Sequence, residues 1–408
     1  MKRIRRRWLH IRSWLPVAMV AFLVTACGGG GASPSSSGSG GGGGGSGGVI
    51  KIATQSPLSG GNATLGEAIK LGAQLAVEDR AEDFKKLGFT LQLVPYDDQA
   101  DPKKGVANAQ MIAADQDILG VVGHLNSGVA IPSSEVYEKY SIPMVSPSNT
   151  ATQVTDRGLK TVNRICARDD FQGPAGAKFA VQQLGAKKIF VIQDKTAYGQ
   201  GLADAFKDAA QKLGAEIVGY EGITVGEKDF NGVLNQAKAK NPDLIYFGGT
   251  YAEGGLIVKQ ARDKGLNMKF MGGDALDSSS MVEIAGPAIA DTYYTSIAAD
   301  VTKTDEGKKW AQRYEQKFGK KVESYSSYGY DSAMVLLKAI ENAIQADGGK
   351  KPTREQVRDA VRAIQDYQGI VTKVGFDNKG DNKYAKVYVY QFEPGQYPGQ
   401  QIAELAKD

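Results

Sequence analysis

The strongest constraint in this chain is a rhythm. Across residues 49–392, short β-branched runs alternate with amphipathic stretches. Units of that kind bury their apolar faces best as a parallel sheet covered by helices on both sides. Residues 49–54, 89–96, 118–123 and 142–146 read as strands, with helices expected over 66–84, 102–114 and 127–140. Ala68, Leu71, Leu75 and Ala76 fall on one face of the first helix, the 3.6-residue periodicity of a half-buried helix. The rhythm then restarts. Helices are expected over 171–184, 198–213, 229–240 and 251–264, the last stopped by Gly265. Strands are expected between and after them at 187–193, 216–222, 244–247 and 268–271. Further helices are expected over 305–318, 325–345 and 353–364, then a late strand at 383–392. Such a body exceeds one ordinary domain of about 100–200 residues and suits two. The fold class is α/β, in two lobes.

The N-terminus fixes the compartment. Lys2, Arg3, Arg5, Arg6, Arg7 and Arg12 precede an almost wholly apolar run over 14–26. A basic start, a short apolar core and a small residue before a break mark an export signal over 1–26. The run is too short to span a bilayer, which takes about 20 residues. Val24-Thr25-Ala26-Cys27 has the form of a bacterial lipobox, so Cys27 is expected to carry the lipid of the mature chain. Residues 28–48 are almost all Gly and Ser. A coil of about 20 such residues reaches on the order of 25 Å, so 27–48 reads as a lipidated cysteine and a tether. Its chance Gly-x-Gly-x-x-Gly matches follow no strand and carry no nucleotide-binding meaning.

Charge and cysteine usage exclude several classes. The chain has 49 basic and 45 acidic residues, and the signal holds six of the basic ones and no acid. The remaining 43 against 45 give about −2, with nothing of the basic patch that nucleic acid requires. The only cysteines are Cys27 and Cys166, and His124 is the one histidine after the signal. A zinc or other His/Cys metal cluster is therefore excluded. With Cys27 lipidated, Cys166 has no disulfide partner and is expected to be buried. No phosphate loop or Ser–His–Asp set stands out. The reading is a non-enzyme without cofactor or metal.

In open α/β sheets ligands sit beyond the carboxyl ends of the strands, so the turns after the strands carry the function. The strand at 118–123 is followed by His124-Leu125-Asn126-Ser127-Gly128, and the one at 142–146 by Pro147-Ser148-Asn149-Thr150. Two hydroxyl-rich turns on neighbouring strands, one opening a helix, can form a socket for a carboxylate. They can equally be helix capping and turn chemistry. In the second half Tyr198 opens a helix, Gly248-Gly249-Thr250-Tyr251 follows one strand and Gly272-Gly273-Asp274 another. Asp274 reads either as the counter-charge for an ammonium group or as a helix cap or surface charge.

Several strings, in order, resemble the bacterial leucine/isoleucine/valine-binding proteins. They are Pro57-Leu58-Ser59-Gly60, Tyr96-Asp97-Asp98-Gln99-Ala100-Asp101-Pro102-Lys103, Gly123-His124-Leu125, Tyr198-Gly199-Gln200-Gly201-Leu202-Ala203, Gly222-Ile223-Thr224-Val225-Gly226-Glu227-Lys228-Asp229-Phe230 and Phe270-Met271-Gly272. The likeness runs from Val49 to Phe392. It implies a type I periplasmic-binding-protein fold, two doubly wound parallel-sheet lobes joined by three crossovers. Lobe I would be 49–168 plus 298–379 and lobe II 169–297 plus 380–408, closing on a ligand about a hinge. Carried over by position, the resemblance places Ser127 and Thr150 on the ligand α-carboxylate, Thr150 also on its amine. It places the Ser148 carbonyl and Asp274 on the ammonium, and Tyr198 against the ligand from lobe II. Several positions depart from the family: Asp274 stands where a glutamate is usual, and Ala100 and Asn126 replace the paired cysteines of some members. Leu65 and Thr250 stand where tyrosines are expected, and Tyr325 where a phenylalanine is expected. The amino-acid backbone sockets are thus expected to be kept and the side-chain pocket remodelled.

The resemblance further implies a monomeric, lipid-anchored extracytoplasmic receptor of an ABC importer. Its partners would be a branched-chain or other apolar amino acid, the membrane permease subunits, and the membrane itself through the lipid, with no nucleic acid. The alternative is an amino-acid or amide sensor acting through a separate membrane partner.

Overall fold

The computed structural model describes residues 48–406. The export signal over 1–26, the lipidation site Cys27 and the tether up to residue 47 lie outside the described residues.

The first half builds a five-stranded sheet from β1 (Val49–Ser56), β2 (Thr90–Asp97), β3 (Ile118–Gly123), β4 (Met144–Ser146) and β5 (Val162–Arg164). Their order is β2-β1-β3-β4-β5, and every pairing is parallel. Strand β3 is an unbroken apolar run buried at all positions, as a sheet covered on both faces requires. The covering helices are α1 (Ala63–Lys86), α2 (Pro102–Ala114), α3 (Ser127–Lys139) and the short α4 (Gln153–Asp156). Helix α1 begins three residues before the expected start at 66. Gly66 is not a boundary but a contact: a Cβ there would lie 1.9 Å from the Pro57 carbonyl oxygen.

The chain then enters a second sheet. Its elements are α5 (Asp169–Lys178), β6 (Lys188–Gln193), α6 (Ala197–Lys212), β7 (Glu216–Gly222), α7 (Asn231–Lys240), β8 (Leu244–Gly248), α8 (Tyr251–Asp263), β9 (Lys269–Gly272), α9 (Ser279–Ala285) and β10 (Thr292–Ser296). The helix expected over 171–184 starts at Asp169 and finishes in a wide turn over Phe179–Gln183. From β10 the chain returns to the first sheet with α10 (Asp305–Phe318), α11 (Ser324–Ala346), α12 (Arg354–Arg362) and the two-residue strands β11 (Tyr367–Gln368) and β12 (Lys373–Val374). Helix α11 packs along α1 and against β3 and β4. A Cβ on Gly72 would lie 2.0 Å from the Ser326 carbonyl oxygen, so the backbones of α1 and α11 touch there. Asp381 bridges to Arg164 at the edge of the first sheet. The chain then crosses a third time into β13 (Lys386–Glu393) and β14 (Gln396–Ala406).

The second sheet, in the order β14-β13-β10-β9-β8-β6-β7, is therefore mixed rather than wholly parallel. Strands β6 to β10 are parallel, while β13 runs antiparallel to β10 and β14 antiparallel to β13. The last crossover feeds β13 in from the opposite end, and the tight Pro394-Gly395 turn, with Gly395 at φ 74°, sends β14 back. Strand β14 contains Pro398 and little apolar periodicity, which is tolerated only because it is an edge. Strands β5, β10 and β14 and helix α9 were not anticipated. The first two are three and five residues long and polar in composition. Cys166, between β5 and α5, is a buried free thiol.

Candidate ligand-binding site

Strands β3 and β4 are neighbours, so their trailing turns meet at one sheet edge and interlock. The Ser148 hydroxyl donates to the His124 carbonyl at 3.0 Å, and the His124 amide donates to Asn149 Oδ1 at 2.9 Å. Asn149 Nδ2 donates to the Leu125 carbonyl at 2.9 Å, and the Ala151 amide donates to Ser127 Oγ at 3.3 Å. Ser127 is the first helical residue of α3 rather than its cap, and the cap position, Asn126, makes no side-chain capping bond. The Ser127 hydroxyl thus serves the turn and not the helix end. Thr150 is fully buried. Its carbonyl accepts from the Asp169 amide at 2.9 Å, and its hydroxyl oxygen has no hydrogen-bond partner.

The second sheet supplies the charge. A Cβ on Gly273 would lie 2.3 Å from Leu202 Cδ2 and 2.6 Å from the Tyr198 hydroxyl. Glycine there lets the β9 turn press onto α6, which brings Asp274 under Tyr198. Helix α6 is capped by Thr196, whose hydroxyl accepts from the Gly199 amide at 2.9 Å, and this fixes Tyr198 in the first turn. The Tyr198 hydroxyl donates to Asp274 Oδ1 at 2.8 Å and accepts from the Ala275 amide at 3.1 Å. Gln172 Nε2 donates to the same Asp274 oxygen at 2.9 Å, and Gln172 Oε1 accepts from the Asp274 amide at 3.0 Å and the Thr295 hydroxyl at 2.8 Å. The Tyr325 hydroxyl donates to Asp274 Oδ2. Tyr325 comes from α11 on the first sheet, so this bond joins the two halves.

All three side-chain donors to Asp274 are neutral. Burial raises the Asp274 pKa, opposed by the hydrogen bonds from Tyr325, Gln172 and Tyr198. Beside it stands Asp169, the first residue of α5, equally buried, with Oδ2 unpartnered. Burial holds the Asp169 carboxyl well above the usual range and the charge of Asp274 pushes it further up, while the nearby charge of Arg164 pulls it down. Two carboxyls that interact this way take up protons as a pair. Burial also keeps Tyr198 and Tyr325 protonated as donors. An approaching cation is what would let both carboxyls ionise.

Tyr198, Asp274 and Tyr325 are thus directly bonded, and Ser127, Ser148 and Thr150 share one turn network. Thr250 is placed differently. Its hydroxyl donates to Glu253 Oε2 at 3.0 Å, within its own helix end. The neighbouring Tyr251 reaches the first lobe instead, its hydroxyl accepting from the Thr64 amide at 3.2 Å. Leu65 follows on α1 and is buried in the apolar cluster that also holds Leu125, Tyr251, Leu276 and Tyr325. Around it the two halves meet along a seam. Thr64 and Ser280 share a hydroxyl bond of 2.8 Å, and the Ser279 amide donates to Glu323 Oε2 at 3.0 Å. A groove of about 860 Å³ runs outside this seam between Thr64 and Lys320 and does not reach Asp274. Sequence reasoning missed Asp169 and Gln172. An acid pair after Arg168 reads as ordinary helix N-terminal charge, and only burial separates Asp169 from exposed Asp170.

Among the described residues no group of three His, Cys, Asp or Glu is placed to hold a metal ion, and no helix is long and apolar enough to cross a membrane. The family model for periplasmic binding proteins matches residues 49–397. A Leu/Ile/Val-binding protein homolog of Brucella suis is 34% identical over 339 residues, covering 83% of this chain and 89% of the relative. The solved leucine-binding protein LivK of Thermotoga maritima is 30% identical with a TM-score of 0.78, over 87% of this chain and 98% of that one. The substrate-binding protein LivJ of Streptococcus pneumoniae, solved with isoleucine, is 25% identical with a TM-score of 0.78, over 88% and 99% of the two chains.

Proposed function

The chain belongs to the periplasmic binding proteins, in the branch of the branched-chain amino-acid ABC transporters, and from that premise we propose that it captures an apolar α-amino acid between its two sheets. The α-carboxylate would meet the α3 N-terminus, Ser127 and the Thr150 hydroxyl. The α-ammonium would meet Asp274 and Asp169, with the Ser148 carbonyl beside them. Tyr198, Tyr325, Leu65 and Thr250 would bound the rest of the ligand. One observation carries the reading: two buried carboxyls supported only by neutral donors, one oxygen unpartnered, stand beside an unpartnered hydroxyl. A zwitterion answers both ends of that arrangement at once. Because only the closed form offers both ends, binding favours closure.

The lobes are assigned as 49–168 with 298–379 and 169–297 with 380–408, in keeping with the strand membership of the two sheets. A lipid on Cys27 and the glycine-rich tether would hold this monomeric body at the membrane, where the closed form delivers its ligand to a permease pair. Calorimetric titration of protein starting at residue 49, unfolded and refolded to strip bound ligand, tests the reading against the twenty amino acids. One-to-one binding of leucine, isoleucine, valine or another apolar amino acid is expected. No binding of any amino acid by demonstrably folded protein overturns it.

A further inference from the structure

We propose that Arg164 is a positioning residue of the ligand site, coupling the shape of the carboxylate socket to the crossovers between the lobes. Arg164 ends β5 and heads the largest fully buried side chains of the described residues. Its Nη1 donates to the carbonyls of Asn149 at 2.7 Å and Ala151 at 2.9 Å, the two residues that flank Thr150. Its Nε donates to Asp381 Oδ1 at 2.5 Å, and its Nη2 donates to the Thr155 hydroxyl. The Thr155 hydroxyl donates in turn to Asp381 Oδ1 at 2.9 Å. Asp381 lies in the last crossover. Its other oxygen accepts from Arg168 Nη1 at 3.0 Å, in the first crossover. One guanidinium thus holds the Thr150 turn and Asp381 of the last crossover, and through Asp381 it is linked to Arg168 of the first.

The chemistry selects arginine for this work. A buried ion pair is weak evidence for stability, because apolar residues of equal volume often serve as well. A rigid planar fork with five donors does what an apolar side chain or an ammonium does not. Here it clamps the carbonyl on either side of Thr150, which fixes the direction of the Thr150 amide and hydroxyl. When the crossovers twist, Asp381 and Arg168 shift against the fork, and the turn shifts with them. Opening then loosens the carboxylate socket as it parts the lobes.

The inference rests on the amino-acid reading of the site, and its test keeps the two apart. Full-length protein would be titrated with L-leucine as wild type, Arg164→Lys, Thr150→Val and the double variant. Arg164→Lys is expected to weaken leucine tenfold or more in wild type and at least threefold less in the Thr150→Val background, because both changes act through the same turn. Equal losses in both backgrounds overturn the proposal. A second arm needs no ligand and covers a variant that binds too weakly to titrate. Hydrogen exchange in the ligand-free protein is expected to speed up about tenfold for the amides of 149–151 in Arg164→Lys and in Asp381→Asn, while β6 and β8 stay unchanged. Uniform acceleration, or none in 149–151, makes Arg164 a structural residue only. If wild type ignores leucine and every other amino acid, the reading of the ligand fails while the exchange arm still decides the role of Arg164.

Discussion

Asp274→Asn separates what this carboxyl does for the ligand from what it does for the fold. The substitution keeps shape and removes charge. Asn can still accept from Tyr198 and Gln172 at its single oxygen, and its amide faces the Tyr325 hydroxyl, which rotates to accept. The ligand-free protein therefore keeps its hydrogen bonds and sheds a carboxyl whose ionised form burial disfavours. Its Tm is expected to stay or rise. The bound state loses one partner of a buried ion pair, which costs about 3–5 kcal/mol, or about 2 to 3.5 decades in Kd. A proton signature accompanies it. Asp274 and Asp169 both have raised pKa values in the ligand-free protein, and a bound ammonium lowers them again. Binding should release protons at pH values between the lowered and the raised pKa values, and affinity should fall as pH drops through the raised values, because proton and ammonium compete for the same charge. Calorimetry in two buffers of different ionisation enthalpy reads Kd and proton release together. A Kd within threefold of wild type, or a Tm loss that matches the affinity loss, refutes the reasoning.

Asp169→Asn should behave in the same direction, raising ligand-free stability by relieving a buried carboxyl with one unpartnered oxygen while weakening amino-acid binding; a stability loss without an affinity change would make Asp169 structural. Asp277 is buried on the seam, where it accepts from Ser296 and Tyr397, and burial pushes its carboxyl from 3.8 up to about 7. A raised carboxyl pKa stabilises the fold at low pH and loses that contribution as pH rises from about 4 to about 7. Asp277→Asn should flatten the Tm–pH curve over that window and raise Tm at pH 8, and the slope that remains should belong to other buried carboxyls with raised pKa values, among them Asp331 at about 7 and Asp194 at about 6 together with Asp169 and Asp274. Gly72→Ala sets a methyl 2.0 Å from the Ser326 carbonyl oxygen, an overpacking of about 1–3 kcal/mol. A Tm decrease of roughly 1–4 °C, with leucine affinity per folded molecule unchanged, is expected; an unaltered Tm would deny the close approach of α1 and α11.

Much of this molecule is legible before any coordinates. The βα rhythm needs only nearest-neighbour periodicity, and it located most of the strands and helices of both halves. The turns after β3, β4 and β9 stood out because glycine and hydroxyl residues following a buried strand have few other uses. Asp274 was visible for the same reason. What the sequence left open was which of two chemistries each turn performs. Ser127 as cap or as socket differs only in where its hydroxyl points, and the structure turns it to the Ala151 amide.

Other features belong to the tertiary structure alone. The mixed second sheet depends on a third crossover that brings β13 in from the far end, and no local pattern records the direction from which a strand arrives. Thr250 and Tyr251 are adjacent in sequence, yet one turns its hydroxyl to Glu253 in the first turn of its own helix and the other reaches Thr64 across the seam. Asp169 and Gln172 gained their place through contacts to Thr150 and Asp274, and Arg164 gained its place by lying between Asn149, Ala151 and Asp381. A charge in a sequence carries a sign and nothing more. Whether it is solvated, paired or left waiting for a ligand is decided by burial and by partners tens to hundreds of residues away, which only the folded chain brings together.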